Sequence, residues 1–152
     1  MIATKNVAVA KTAAEKADAK APIVLTLNKN DATVPAKTLQ TLSSSSASGL
    51  HLLTGNGTAV TISNGKSLKN QGAINLTNKV TTTKNSKIIA FTSNTKLNTL
   101  CAVHTTVPAG TKAVKLYATI NGTRVSLMTL KPTAAGQVYF PITQLGIFEL
   151  VY

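Results

Sequence analysis

The sequence predicts an all-β fold, an antiparallel β-sandwich of about nine strands with one short helix and an extended N-terminal arm. Three observations carry that expectation. Thr, Asn, Ser and Val are abundant, while strong helix formers are scarce beyond the first twenty or so residues. Short apolar segments recur between turn residues at roughly the 8–12-residue spacing of sandwiches and barrels. The segment from Val107 to Tyr152 reads as consecutive strands around Asn121-Gly122, a pair suited to a type I′ hairpin turn because both central residues need φ > 0.

At 152 residues the chain suits one core, expected over 22–152, preceded by an arm and linker over 1–21. In the arm, Ile2, Val7 and Val9 stand among small residues, followed by the Ala/Lys-rich stretch from Thr12 to Lys20. Nothing there can form a core alone, so its order depends on partners for its apolar side chains and backbone. Ile23 to Leu27 is apolar on both faces and reads as a central strand. Asn28 to Ala32 is a turn. Val34-Pro35 opens a short helix with Leu39 and Leu42 on one face. Ser43 to Gly49 is a low-complexity loop. Leu50–Thr54 and Thr58–Ile62 are strands about Gly55-Asn-Gly57, and Asn64-Gly65 turns again. Ala73–Thr77 and Lys87–Thr92 are strands separated by a Thr/Lys loop over 79–86, and Leu97–Val103 is another. Val114–Ile120, Thr123–Leu130, Gln137–Phe140 and Gly146–Tyr152 complete the set. Tyr117, Tyr139, Phe140, Phe148 and Tyr152 fall in this last third, so the core is expected to centre there.

Charge is lopsided. Sixteen basic residues face four acidic ones, a formal +12, yet only 13% of residues are charged. The bases are single Lys residues except Arg124. Nucleic-acid readers cluster Lys and Arg and add stacking groups, so specific nucleic-acid binding is not expected. Scattered Lys keeps strand edges and faces soluble, or offers a surface to anionic polymers such as cell-wall teichoic acids or lipid headgroups. No stretch is long and apolar enough for a membrane span. Met1 to Ala21 lacks the apolar run of a signal peptide, which leaves a cytosolic chain or one numbered from a mature or recombinant start.

The order of several motifs resembles a β-sandwich module of bacterial, Gram-positive-type, cell-surface and S-layer-associated proteins. The motifs are Ile23-Val-Leu-Thr-Leu, Asp31-Ala-Thr-Val-Pro-Ala-Lys-Thr-Leu-Gln-Thr-Leu, Gly57-Thr-Ala-Val-Thr-Ile and Ile74-Asn-Leu, closing with Val107-Pro-Ala-Gly-Thr-Lys-Ala-Val-Lys-Leu-Tyr117, Gly136-Gln-Val-Tyr-Phe140 and Gly146-Ile-Phe-Glu-Leu-Val-Tyr152. The likeness covers roughly 22–152 and implies extracellular, non-catalytic, structural or adhesive use. Such modules usually sit in longer chains with more acids, and this chain departs from them in both respects.

Chemistry finds little to work with. The four acids are Glu15, Asp18, Asp31 and Glu149, and no two in the body form the pair that hydrolases need. Cys101 is the only cysteine and reads as a small core residue. With His104 it has a three-residue spacing, but a strand turns such residues to opposite faces, and only His51 could add to a metal set. Neither an enzyme nor a cofactor or metal site is expected. Glu149, on an apolar strand, suits an outward residue or, as in some Gram-positive sandwich modules, the catalyst of an internal Lys–Asn crosslink. The sequons at Asn56, Asn75 and Asn121 depend on a host for their use.

The leading expectation is an extracellular filament, pilus-like fibre or surface-layer subunit that joins its own copies head to tail. The arm would supply the connecting strand through Ile2, Val7 and Val9. The alternative is a monomeric surface module for cell-wall polyanions or glycans.

Overall fold

A computed structural model describes residues 23–44, 49–63 and 65–152. Among the described residues, twelve strands and one α-helix build an all-β sandwich. Sheet 1 has the order β1-β3-β4-β8-β11 and sheet 2 the order β10-β9-β12-β7-β6, while β2 and β5 pair separately. The strands of sheet 1 are β1 (Ile23–Thr26), β3 (Leu50–Leu53), β4 (Ala59–Ile62), β8 (Lys96–Thr106) and β11 (Gln137–Gln144). Those of sheet 2 are β6 (Asn78–Thr82), β7 (Ser86–Phe91), β9 (Val114–Ile120), β10 (Thr123–Leu130) and β12 (Ile147–Val151). The short pair is β2 (Thr33–Val34) with β5 (Ile74–Asn75).

Register explains the core. Across sheet 1, Leu25, Leu52, Val60, Val103 and Phe140 pair in one row, and Ile23, Leu50, Ile62, Cys101 and Ile142 in the next. All ten are buried, because alternate residues share a face and a slip of one would expose the whole set. Sheet 2 turns Ile89, Phe91, Leu116, Ala118, Phe148 and Leu150 into the same cluster. Phe140 meets Phe148 across the sheets, ring centroids 5.4 Å apart. A polar clasp adds to this. Asn56, in the β3–β4 turn, donates its side-chain amide to Asn78 Oδ1 at 2.8 Å, at the start of β6, while Thr54 Oγ1 donates to Asn56 Oδ1 at 2.6 Å. The Asn56 sequon is therefore already bonded within the fold.

Helix α1 (Ala36–Ser43) begins after Pro35, whose φ of −63° suits a helix start, and buries Thr38, Leu39 and Leu42. A 3-10 helix over Gly65–Asn70 buries Leu68 beside it. Asn121 (φ 50°) and Gly122 (φ 78°) form the expected left-handed pair between β9 and β10.

Other expectations need correction. Ile23 to Thr26 is an edge strand, not a central one, and Val24 is 54% exposed. It pairs parallel to β3, the one parallel pair of the two main sheets, because the β2 and α1 segment carries the chain back before β3 begins. The 79–86 stretch is not a loop, since β6 occupies 78–82. β8 runs on to Thr106 and β11 through Pro141. The core is not centred in the last third. Leu25, Leu39, Leu50, Leu52, Ile62, Leu68, Ile74 and Leu76 are as fully buried as Phe140, and Tyr139 is 55% exposed.

Candidate functional site

Among the described residues, two open sheets leave four edge strands, β1 and β11 in sheet 1, β10 and β6 in sheet 2. Each presents unpaired backbone groups that another strand could join unless something blocks them. β1 is four residues long. β6 is short and polar and carries Lys79. β11 contains Pro141, which lacks an N–H and suits an edge for that reason. β10 has eight residues, no Pro and no Lys.

The one charge on β10 is taken up. Arg124 Nε donates to Glu149 Oε1 at 2.7 Å, and its guanidinium lies 3.7 Å from the centre of the Tyr117 ring. Glu149 is opposite Tyr117 in the ladder, on the face away from Phe148 and Leu150. Glu149 is thus an outward strand residue paired with Arg124, outside the buried cluster.

The inner side of β10 is apolar. Val125 pairs with Ala118 and Met128 with Leu116, both buried, and a bulge between Ser126 and Met128 inserts Leu127. Yet Val125, Leu127 and Met128 remain 38–40% exposed. A groove of about 390 Å³ opens here, lined from sheet 2 by Ala118, Leu127, Met128 and Phe148 and on the β11 side by Ile142 and Leu145.

A second feature lies on the outer face of sheet 1. Register places His51, Thr61, His104 and Tyr139 there together. His51 Nδ1 is 2.8 Å from Thr61 Oγ1, and the His104 ring lies against Tyr139 with centroids 4.5 Å apart. Burial pushes the His104 pKa below its ordinary value, helped by the charges of His51 and Lys87. Cys101 is on the opposite, core face, its thiol pushed up to about 11 by burial, so thiol and imidazole cannot act together. Among the described residues no three His, Cys, Asp or Glu are grouped so as to hold a metal ion.

Ile2, Val7 and Val9, the expected contact residues, lie outside the described residues. The β10 edge and its groove were not anticipated from sequence. Their only signal was an eight-residue strand free of Lys and Pro. No helix among the described residues is long and apolar enough to cross a membrane. Compared with family models, curated proteins and solved structures, the chain has no significant match.

Proposed function

We propose that this chain is a non-catalytic structural subunit of an extracellular filament or surface layer, joined to its copies by addition of the N-terminal segment to a sheet edge. The observation that carries the reading is β10, an eight-residue edge strand without Lys or Pro and with partly exposed apolar side chains on its inner side. A monomer gains nothing from such an edge and risks indiscriminate pairing. A strand from a neighbour would satisfy its backbone and cover its aliphatic groups. The cell-surface resemblance of 22–152 points the same way. Deleting residues 1–11 tests the reading by sedimentation and negative-stain microscopy. The expected product is a folded monomer, and assemblies identical to those of the full chain would refute the connecting role of the arm.

A second reading is a monomeric module for anionic wall polymers or glycans. It is favoured by the exposed Tyr139 ring backed by His104, an amphipathic platform of the kind sugars and polymers use, and by the +12 charge. Salt separates the two. Polyanion binding weakens steeply as salt rises, whereas screening relieves the mutual repulsion of +12 subunits and favours their assembly.

A further inference from the structure

We propose that the groove beneath β10 is the acceptor site, and that it takes residues Ile2–Ala10 of a second copy as a sixth strand on sheet 2, with Val7 and Val9 turned inward. This rests on the strand-addition reading above and names the surface that reading needs.

Three observations converge on the site. First, β10 is eight residues long and carries neither Pro nor Lys, whereas β1 is short, β6 bears Lys79 and β11 bears Pro141. Second, a groove opens between the inner side of β10 and Ile142 of β11, so an added strand would turn alternate side chains toward its apolar mouth at Leu127 and Met128. Val7 and Val9 are two residues apart, so both point to one face, spaced about 6.6 Å along a strand. The arm carries Lys5 and Lys11 at the flanks of this pair rather than between its members, which keeps charge out of the apolar space.

Third, the position of the chain's entry selects a neighbour as the donor. The described chain enters at Ile23 on β1, the edge of sheet 1 opposite β11. Crossing four strand spacings takes ~19 Å, and passing to sheet 2 takes ~10 Å more. The Thr12 to Ala21 linker spans roughly 30 Å when fully extended, so a molecule's own arm would spend all of it on wrapping around the sandwich. An adjacent copy can present its arm with slack to spare. Donor and acceptor then lie at opposite edges, and every subunit that gives an arm keeps an empty groove of its own. Such a head-to-tail contact propagates rather than closing on a pair.

Two full-length variants, Val7→Cys and Met128→Cys, test the contact. Native Cys101 does not compete, because it is buried with a raised thiol pKa. The expected result on mild oxidation of the mixture is a disulfide-linked dimer containing one of each variant. The doubly substituted chain should give a ladder of multimers. A fast-migrating monomer from the double variant would overturn the proposal by showing that the arm fills its own groove. Linkage of Met128→Cys mainly to itself would overturn it in favour of β10–β10 pairing. Linkage of Val7→Cys to a Val24→Cys chain and not to Met128→Cys would move the acceptor to β1. Absence of any linkage would show the groove unoccupied by the arm.

A companion measurement separates this proposal from the reading beneath it. Leu127→Asp with Met128→Asp, in the full chain, should abolish assembly of a protein that circular dichroism shows still folded, at a lowered melting temperature because both side chains are only 38–40% exposed. If that variant assembles normally and the 1–11 deletion does not, the arm connects subunits at some other edge. If the deletion also assembles, strand addition itself is wrong.

Discussion

The contact between Phe140 and Phe148 is the most direct test of the sandwich, because one ring comes from β11 in sheet 1 and the other from β12 in sheet 2. Phe140 is 1% exposed and Phe148 5%. Phe148 also packs edge-on against Phe91, centroids 6.1 Å apart at 81°. Truncation of a buried Phe to Ala costs about 3–5 kcal/mol through lost transfer energy and the cavity left behind. For a chain of this length each kcal/mol lowers Tm by roughly 2–4 °C, so Phe140→Ala should lose about 6–20 °C. Leu is a better probe of the contact itself, since it keeps most of the volume. An aromatic pair at this distance is worth ~0.5–1.5 kcal/mol beyond the area it buries. In a double-mutant cycle of Phe140→Leu and Phe148→Leu, followed by urea unfolding, that amount should appear as coupling. Additivity within about 0.3 kcal/mol would mean that the rings do not touch and that the two sheets do not share a core at this point.

Two glycines of nearly equal φ offer a comparison of strain with space. Gly122 (φ 78°) has nothing near the position of a Cβ, so Gly122→Ala should cost only the left-handed penalty of about 1–2 kcal/mol. At Gly136 (φ 85°) a Cβ would meet the Val107 carbonyl oxygen, whose own residue donates N–H to Gly136 O at 2.8 Å. Gly136→Ala should therefore cost clearly more by thermal denaturation, and equal costs would refute the close approach. His104 supplies a pH dependence. Its folded pKa is lowered, chiefly by burial, so the unfolded state binds the proton more readily and stability falls as pH drops below the ordinary histidine value of about 6.5. His104→Gln should flatten the urea-midpoint profile between pH 7.5 and 5.5, and an unchanged profile would show that His104 contributes nothing to it.

The parts of the fold legible in the sequence are those with a local cause. Pro35 ahead of Leu39 and Leu42, Asn121-Gly122, and the alternation of Leu116, Ala118, Phe148 and Leu150 each act within a few residues, and each appears where expected. The failures are non-local. Ile23-Val-Leu reads as buried on both faces, because an apolar run has no mark that says which neighbour it lacks. In the sandwich Val24 is 54% exposed. β6 reads as a loop because Asn78-Lys-Val-Thr-Thr82 is the composition that keeps an edge strand soluble. Tyr139 counted toward the core on residue type alone, whereas the β11 register puts Phe140 inside and Tyr139 outside.

The candidate site was illegible for a sharper reason. In Val125, Leu127 and Met128 the sequence shows ordinary strand residues, and in a central strand they would be core. Their exposure follows from sheet order, which leaves β10 outermost, and from a bulge that puts both Leu127 and Met128 on the groove. No local signal specifies either feature. What the sequence does carry is an omission. Fifteen of its sixteen bases are Lys, the residue that natural sheets place on edges to refuse partners, and none of them falls between Thr123 and Leu130. The residue with the strongest charge on that strand is Arg124, and it is folded back onto Tyr117 and Glu149 on the outer face, which leaves the pairing edge and the inner side uncharged. A chain with so much positive charge that places on β10 only Arg124, folded back to the outer face, keeps that edge compatible with a second strand.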